Sequence, residues 1–174
     1  MRFSLLIALI FATLAESTNY LENISGTSAH LLTDGCNRVD IRYEKKNFDQ
    51  LINCRVVLNG LRISDIKEDL NDLKFPKLTE ITGYLMINNV RGLKSLKNLF
   101  PNLAVIRGNI LIHGSALLLT NNSNLENICL ESLSYVGRGH LTFENNPKLC
   151  YINTVAWKEF FTSDSQTVQS VSFL

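Results

Sequence analysis

Four short apolar runs, each marked by a glycine, constrain this chain more than any other feature. They are VLNGLRI (57–63), ITGYLMI (81–87), IRGNILI (106–112) and VGRGHLTF (136–143). Each has a β-branched residue near its start, then a glycine (Gly60, Gly83, Gly108, Gly139), then alternating apolar positions. The glycines are 23, 25 and 31 residues apart. Repeat architectures use about 20–29 residues for one circuit of the chain. Each circuit gives one short strand to a parallel sheet, and stacking buries the inward side chains as columns. The pattern predicts an inner column of Leu61/Ile63, Leu85/Ile87, Ile110/Ile112 and Leu141/Phe143. The glycine marks the bend before the strand, where a Cβ would be crowded.

Between the runs lies a second pattern. LNDLKFPKL (70–78) and LKSLKNLFPNL (93–103) both place Leu-x-x-Leu ahead of Phe-Pro-x-Leu. NSNLENICLESL (122–133) keeps the spacing of Leu125, Ile128, Leu130 and Leu133 but lacks Phe-Pro. Pro76 and Pro101 push the preceding phenylalanine into an extended conformation. Phe75 and Phe100 are therefore expected in the core, closing one corner of each repeat. YEKKNFDQLINC (43–54) reads as a short helix with Asn47 as N-cap and Phe48, Leu51 and Ile52 on one face. Such a helix covers an end that otherwise exposes apolar surface and strand edges. The tail FTSDSQTVQSVSFL is rich in Ser, Thr and Gln, and its sparse apolar positions predict a loosely packed end.

The N-terminus carries a targeting signature. Met1-Arg2 is a short basic start, Leu5 to Leu14 is an apolar core, and ATLAES offers small residues for cleavage after Ala15 or Ser17. The run is too short for a bilayer, which needs about 20 residues. Residues 1–17 are thus expected to be a signal peptide, 18–35 a polar lead, 36–160 the folded domain and 161–174 the tail. The expected product is secreted and has no membrane span. Secretion implies an oxidising compartment. Four cysteines allow three pairings. A Cys36–Cys54 bridge would staple the helix to the first repeat, at a gain of roughly 3 kcal/mol. Cys129, among inward leucines, reads as a small buried hydrophobe. A Cys129–Cys150 bridge is an alternative.

The formal charge of +1 gives no grip on nucleic acid or anionic membrane. The three histidines, His30, His113 and His140, are scattered, and no hydrolase, zinc or phosphate-loop motif is present. No enzyme activity, cofactor or metal site is expected. Asn23-Ile24-Ser25 and Asn121-Asn122-Ser123 are N-glycosylation sequons.

Several blocks resemble the receptor L domain, in particular the first L domain of insulin receptor-like proteins. They are CNRVDIR (36–42), NCRVVLNGLRI (53–63), FPKLTEITGYLMI (75–87), GLKSLKNLFPNLAVIRGN (92–109), ALLL (116–119), RGHLTFENNPKLCY (138–151) and Trp157. The resemblance implies a right-handed parallel β-helix, a leucine-rich-repeat-like α/β solenoid with a short N-terminal capping helix. It also implies a Cys36–Cys54 disulfide. In the family the cysteine at the Cys150 position pairs with one beyond the point where this chain ends. One sheet face of the family binds an insulin-like hormone. Matched to this chain, that face comprises Asp40, Arg42, Arg62, Ser64, Met86, Asn88, His113, Thr142 and Glu144. Several aromatics of the family's face are replaced here, by Asn88, Ile112, His113, Ser115 and Thr120, which points to a different peptide. The implied function is a secreted binding module for an insulin-like or growth-factor-like peptide, acting as a decoy. A structural module that pairs with receptor ectodomains, or with itself, is the alternative.

Overall fold

The computed structural model describes residues 35–171. The expected signal segment, almost all of the lead with Asn23 and His30, and the last three residues lie outside them. Eleven strands follow in chain order. They are β1 (Gly35–Cys36), β2 (Val39–Arg42), β3 (Val56–Val57), β4 (Gly60–Ser64), β5 (Glu80–Ile81), β6 (Tyr84–Asn88), β7 (Val105–Ile106), β8 (Ser115–Thr120), β9 (Tyr135–Val136), β10 (His140–Glu144) and β11 (Val168–Val171). They form two parallel sheets, one in the order β1-β3-β5-β7-β9 and the other in the order β11-β10-β8-β6-β4-β2. Up to β10 the chain visits the two sheets alternately. The α/β expectation is corrected on one point: the described helices are three short 3-10 segments, and the fold is mostly strand.

The β-branched residues of the glycine-marked runs belong to the narrow sheet. Val57, Ile81, Ile106 and Val136 are paired in register there and fully buried. The corner follows. At Gly83 an added Cβ would stand 1.1 Å from the Asn59 carbonyl oxygen. Gly108 has a left-handed φ of 68° and its Cβ would meet the Arg138 carbonyl oxygen at 2.4 Å. Both sites exclude a side chain because the neighbouring backbone already fills the space.

In the wide sheet one inner row is Val39, Leu61, Leu85, Leu117, Leu141 and Val168. The second joins Ile41, Ile63, Ile87, Leu119 and Phe143. Three of the four expected pairs are in these rows. The third is not: Leu117 and Leu119 replace Ile110 and Ile112. After Gly108 the chain leaves as a loop, Ile110 is 47% exposed, and Ile112 and Ser115 close the loop with reciprocal backbone hydrogen bonds.

What holds β8 in place is a pair of buried asparagines. The Asn122 side chain accepts from the Val90 backbone N–H and donates to the Ile87 carbonyl and to Asn146 Oδ1, each at 3.0 Å. Asn146 Oδ1 also accepts from the Asn122 N–H, and its Nδ2 donates to the Leu119 carbonyl at 2.9 Å. Each amide thereby ties the backbone just past its own strand to the backbone of the neighbouring repeat.

Phe75 and Phe100 are buried as expected and form a column with Phe48, with ring centroids 5.7 and 6.3 Å apart. In each repeat the same turn recurs: Leu78 N–H donates to the Phe75 carbonyl, Leu103 to Phe100, and Leu133 to Leu130. Leu130 therefore takes the place of a phenylalanine in the fourth repeat.

The N-terminal helix is a 3-10 segment, Lys45–Leu51, not a capped α-helix. Glu44 precedes it, and Asn47 lies inside its first turn with its amide donating to the Arg42 carbonyl. Phe48 and Leu51 are buried, but Ile52 is 54% exposed, because the tighter three-residue turn carries it off the inner face. The tail also departs from expectation. Val168–Val171 pairs with β10 as an edge strand, and the buried Gln166 side chain donates to the Val136 and Gly139 carbonyls. At this end Trp157 packs on Phe143, 5.7 Å between ring centroids, and its indole N–H donates to the Ile152 carbonyl.

Candidate ligand-binding face

The outer side of the wide sheet gathers the residues singled out above. Strand alternation sends Asp40, Arg62, Met86, Leu118, Thr142 and Gln169 out in one paired row. Arg42, Ser64, Asn88, Thr120 and Glu144 form the next. His113 reaches the same face from the loop after Gly108. It borders a shallow pocket of about 360 Å³ with Met86, Asn88, Thr142 and Glu144. All nine candidate residues thus share one face. Leu118, Thr120 and Gln169 share it too. Leu118 was hidden in the sequence by the misplaced third strand, and Gln169 by the polar composition of the tail.

The charges on this face are not equivalent. Arg42 donates to both carboxylate oxygens of Asp40, at 2.7 and 2.5 Å. The Arg42 guanidinium holds the Asp40 carboxyl below its ordinary value, and the carboxylate in turn raises Arg42. This pair is self-neutralising. Arg62 and Glu144 form no ion pair among the described residues. Arg62 Nε and Ser64 Oγ are buried and have no hydrogen-bond partner among the described residues. Such groups cost free energy until a partner satisfies them. Among the described residues the face therefore offers an unpaired donor on β4 and a carboxylate outside any ion pair on β10, with β6 and β8, and so Met86 and Leu118, between them.

Tyr84, Met86 and Leu118 are nearly buried and form a small apolar cluster on this side, against which Ile112 packs. The Ser115 and Thr142 hydroxyls are hydrogen bonded at 2.7 Å beside it. Loop 109–114 thus brings Ile112 and His113 to this side of the sheet.

The cysteines divide into two kinds. Cys36 and Cys54 form a disulfide with Cα atoms 5.5 Å apart, within ordinary bridging distance. Cys129 and Cys150 are free and exposed. Cys129 is not the buried hydrophobe expected. Its φ of 41° turns it outward between the buried Ile128 and Leu130. Both thiols border a second, apolar pocket of about 430 Å³ lined by Leu130, Leu133, Tyr151, Trp157 and Phe160. Asn121 is exposed directly after β8, with φ 59°.

The Receptor L domain family model matches residues 53–161. The chain belongs to the Receptor L domain family. This L domain is 43% identical over 131 residues to the insulin-like receptor of Drosophila melanogaster, covering 74% of this chain and 6% of that protein. It is 39% identical over 156 residues to the putative molluscan insulin-related peptide(s) receptor of Lymnaea stagnalis, covering 87% of this chain and 10% of that protein. It is 45% identical over 123 residues to the insulin-like growth factor 1 receptor of Xenopus laevis, covering 68% of this chain and 9% of that protein. The chain spans a tenth or less of the length of these relatives. No described helix of the L domain is long and apolar enough to cross a membrane.

Proposed function

We propose that this L domain is a secreted, non-enzymatic module that captures an insulin-like peptide on the outer side of the wide sheet. The observation that carries the reading is the joint presence there, among the described residues, of unpartnered Arg62 Nε and Ser64 Oγ and of Glu144 outside any ion pair, around the Met86–Leu118 cluster. An apolar centre flanked by charges of opposite sign suits a small, folded peptide with an acidic and a basic side. The printed names of the relatives, receptors for insulin-like peptides, support the same class of ligand. Two parallel sheets visited in turn support the finer description of the scaffold as a right-handed β-helical solenoid. The leader at residues 1–17 supports secretion. Wherever the L domain circulates by itself, capture withholds the peptide from signalling receptors, which is the action of a decoy.

The test is binding of an insulin-like peptide to the secreted protein by calorimetry or surface plasmon resonance. Saturable binding is expected, weakened about tenfold by Glu144→Lys, equivalent to about 1.4 kcal/mol. Asp40→Ala should weaken it less, because it frees Arg42 rather than reversing a charge. Equal affinity of all three proteins would exclude this face.

A second reading rests on the other end of the molecule. The apolar pocket at Trp157, with exposed Tyr151 and two free thiols, suits pairing with a receptor ectodomain or a second L domain. Recovery of such a complex in the absence of peptide, abolished by Tyr151→Asp, would favour it.

A further inference from the structure

We infer that Asn121 carries an N-linked glycan that stands over the β8–β10 half of the peptide-binding face and limits access to it. The inference rests on the peptide-binding reading for its biological consequence, but not for its chemistry. Asn121-Asn122-Ser123 is the one sequon among the described residues. Asn121 and Ser123 are exposed, whereas Asn122 between them is fully buried and committed to the backbone of the neighbouring repeat. Residue 121 can therefore be modified without disturbing the network that holds β8.

Position decides the consequence. Asn121 Nδ2 donates to Asn88 Oδ1 at 3.0 Å, and its Oδ1 accepts from Asn145 at 2.7 Å. Asn121 also borders the pocket between His113 and Glu144. In transfer from a polyprenyl-diphosphate-linked oligosaccharide, one N–H of the Asn121 amide is lost as a proton and an N–C bond to the first sugar forms. The sugar–phosphate bond breaks and the diphosphate leaves. The second amide hydrogen remains for Asn88. The first sugar is then anchored about one hydrogen bond from a residue of the face itself, and the bulky, hydrated chain beyond it occupies the same side. Asp40 and Arg42, at the far edge of the sheet on β2, stay open.

The experiment compares the secreted chain with Asn121→Gln and with Ser123→Ala, which removes the sequon but keeps Asn121. Glycopeptide mass spectrometry should find sugar at Asn121 in the parent alone. Carbodiimide labelling of Glu144 and diethyl pyrocarbonate labelling of His113 should rise several-fold in both variants, with labelling of Asp40 unchanged. Binding of an insulin-like peptide should strengthen several-fold in both. An unmodified Asn121 in the parent overturns the inference, as does a glycan whose removal changes neither labelling nor binding. If labelling rises while no form binds peptide, the masking glycan stands and the peptide-binding reading falls.

Discussion

The second and third repeats begin almost identically and end differently. Ile81-Thr82-Gly83 and Ile106-Arg107-Gly108 make the same short strand and a crowded corner, although Gly83 abuts Asn59 of the repeat before it and Gly108, with a left-handed φ, abuts Arg138 of the repeat after it. From Gly83 the chain reaches Val90 after seven residues, and β6 fills the interval. From Gly108 it takes fourteen to reach Asn122, which sits beside Val90. The extra seven form the loop that carries Ile112 and His113 onto the outer face. A strand in this fold is positioned from its far end as well as from its corner. Where the two disagree, the strand follows the polar anchor, and Leu117 and Leu119 fill the inner rows while Ile110 and Leu111 are left partly exposed.

The comparison is broken most directly at the anchor. Asn122→Ala leaves the Val90 N–H and Ile87 carbonyl without that partner, and should cost about 3 kcal/mol in a urea titration. Val90→Ala, at the matching site of the second repeat, loses only packing and should cost about 1.5 kcal/mol. Equal costs would show that Asn122 acts as a space-filler. Excising residues 109–115 gives the third repeat the length of the second and brings Ala116 directly after Gly108. About 1 kcal/mol of stability should be lost, since the Ile112 contact with Met86 and Leu118 goes but both inner rows remain. A collapse of cooperative unfolding would mean that the loop is part of the core. The smallest effect is expected at the face charges. In the folded chain Arg42 holds the Asp40 carboxyl below its ordinary value of 3.8. The pair's stabilisation is therefore complete above that value and is lost as acid takes the pH through the lower, folded value. Asp40→Asn should be slightly less stable than the parent near neutrality and indistinguishable from it in strong acid.

Much of this was legible in the residues. Alternation fixed the inward members of β4, β6 and β10, and the Phe-Pro pairs located two rungs of the aromatic column. The face residues followed from the family resemblance alone. Four features were obscured for physical reasons. IRGNILI has a strand's pattern, but patterning cannot count the residues to the next anchor. The anchor's own signal, an Asn-Asn pair directly after β8 and β10, was visible at 121–122 and 145–146 yet reads as loop composition. The tail's Ser, Thr and Gln suggest a solvated end, but an edge strand needs only one inward apolar residue, Val168, and a buried glutamine to tie down its turn. Cys129 was assigned by its neighbours, although its backbone turns the opposite way.

The aromatic column sets a gradient along the molecule. Phe48, Phe75 and Phe100 stack through the first three repeats, and Leu130 ends the series with a smaller side chain beside an apolar hollow. A smaller side chain leaves less packing at that turn, so transient opening of the native state is expected to begin there rather than at the disulfide-bridged end. Amide exchange should therefore run ahead at Leu133 and lag at Leu78, and the two free, exposed thiols border that same hollow.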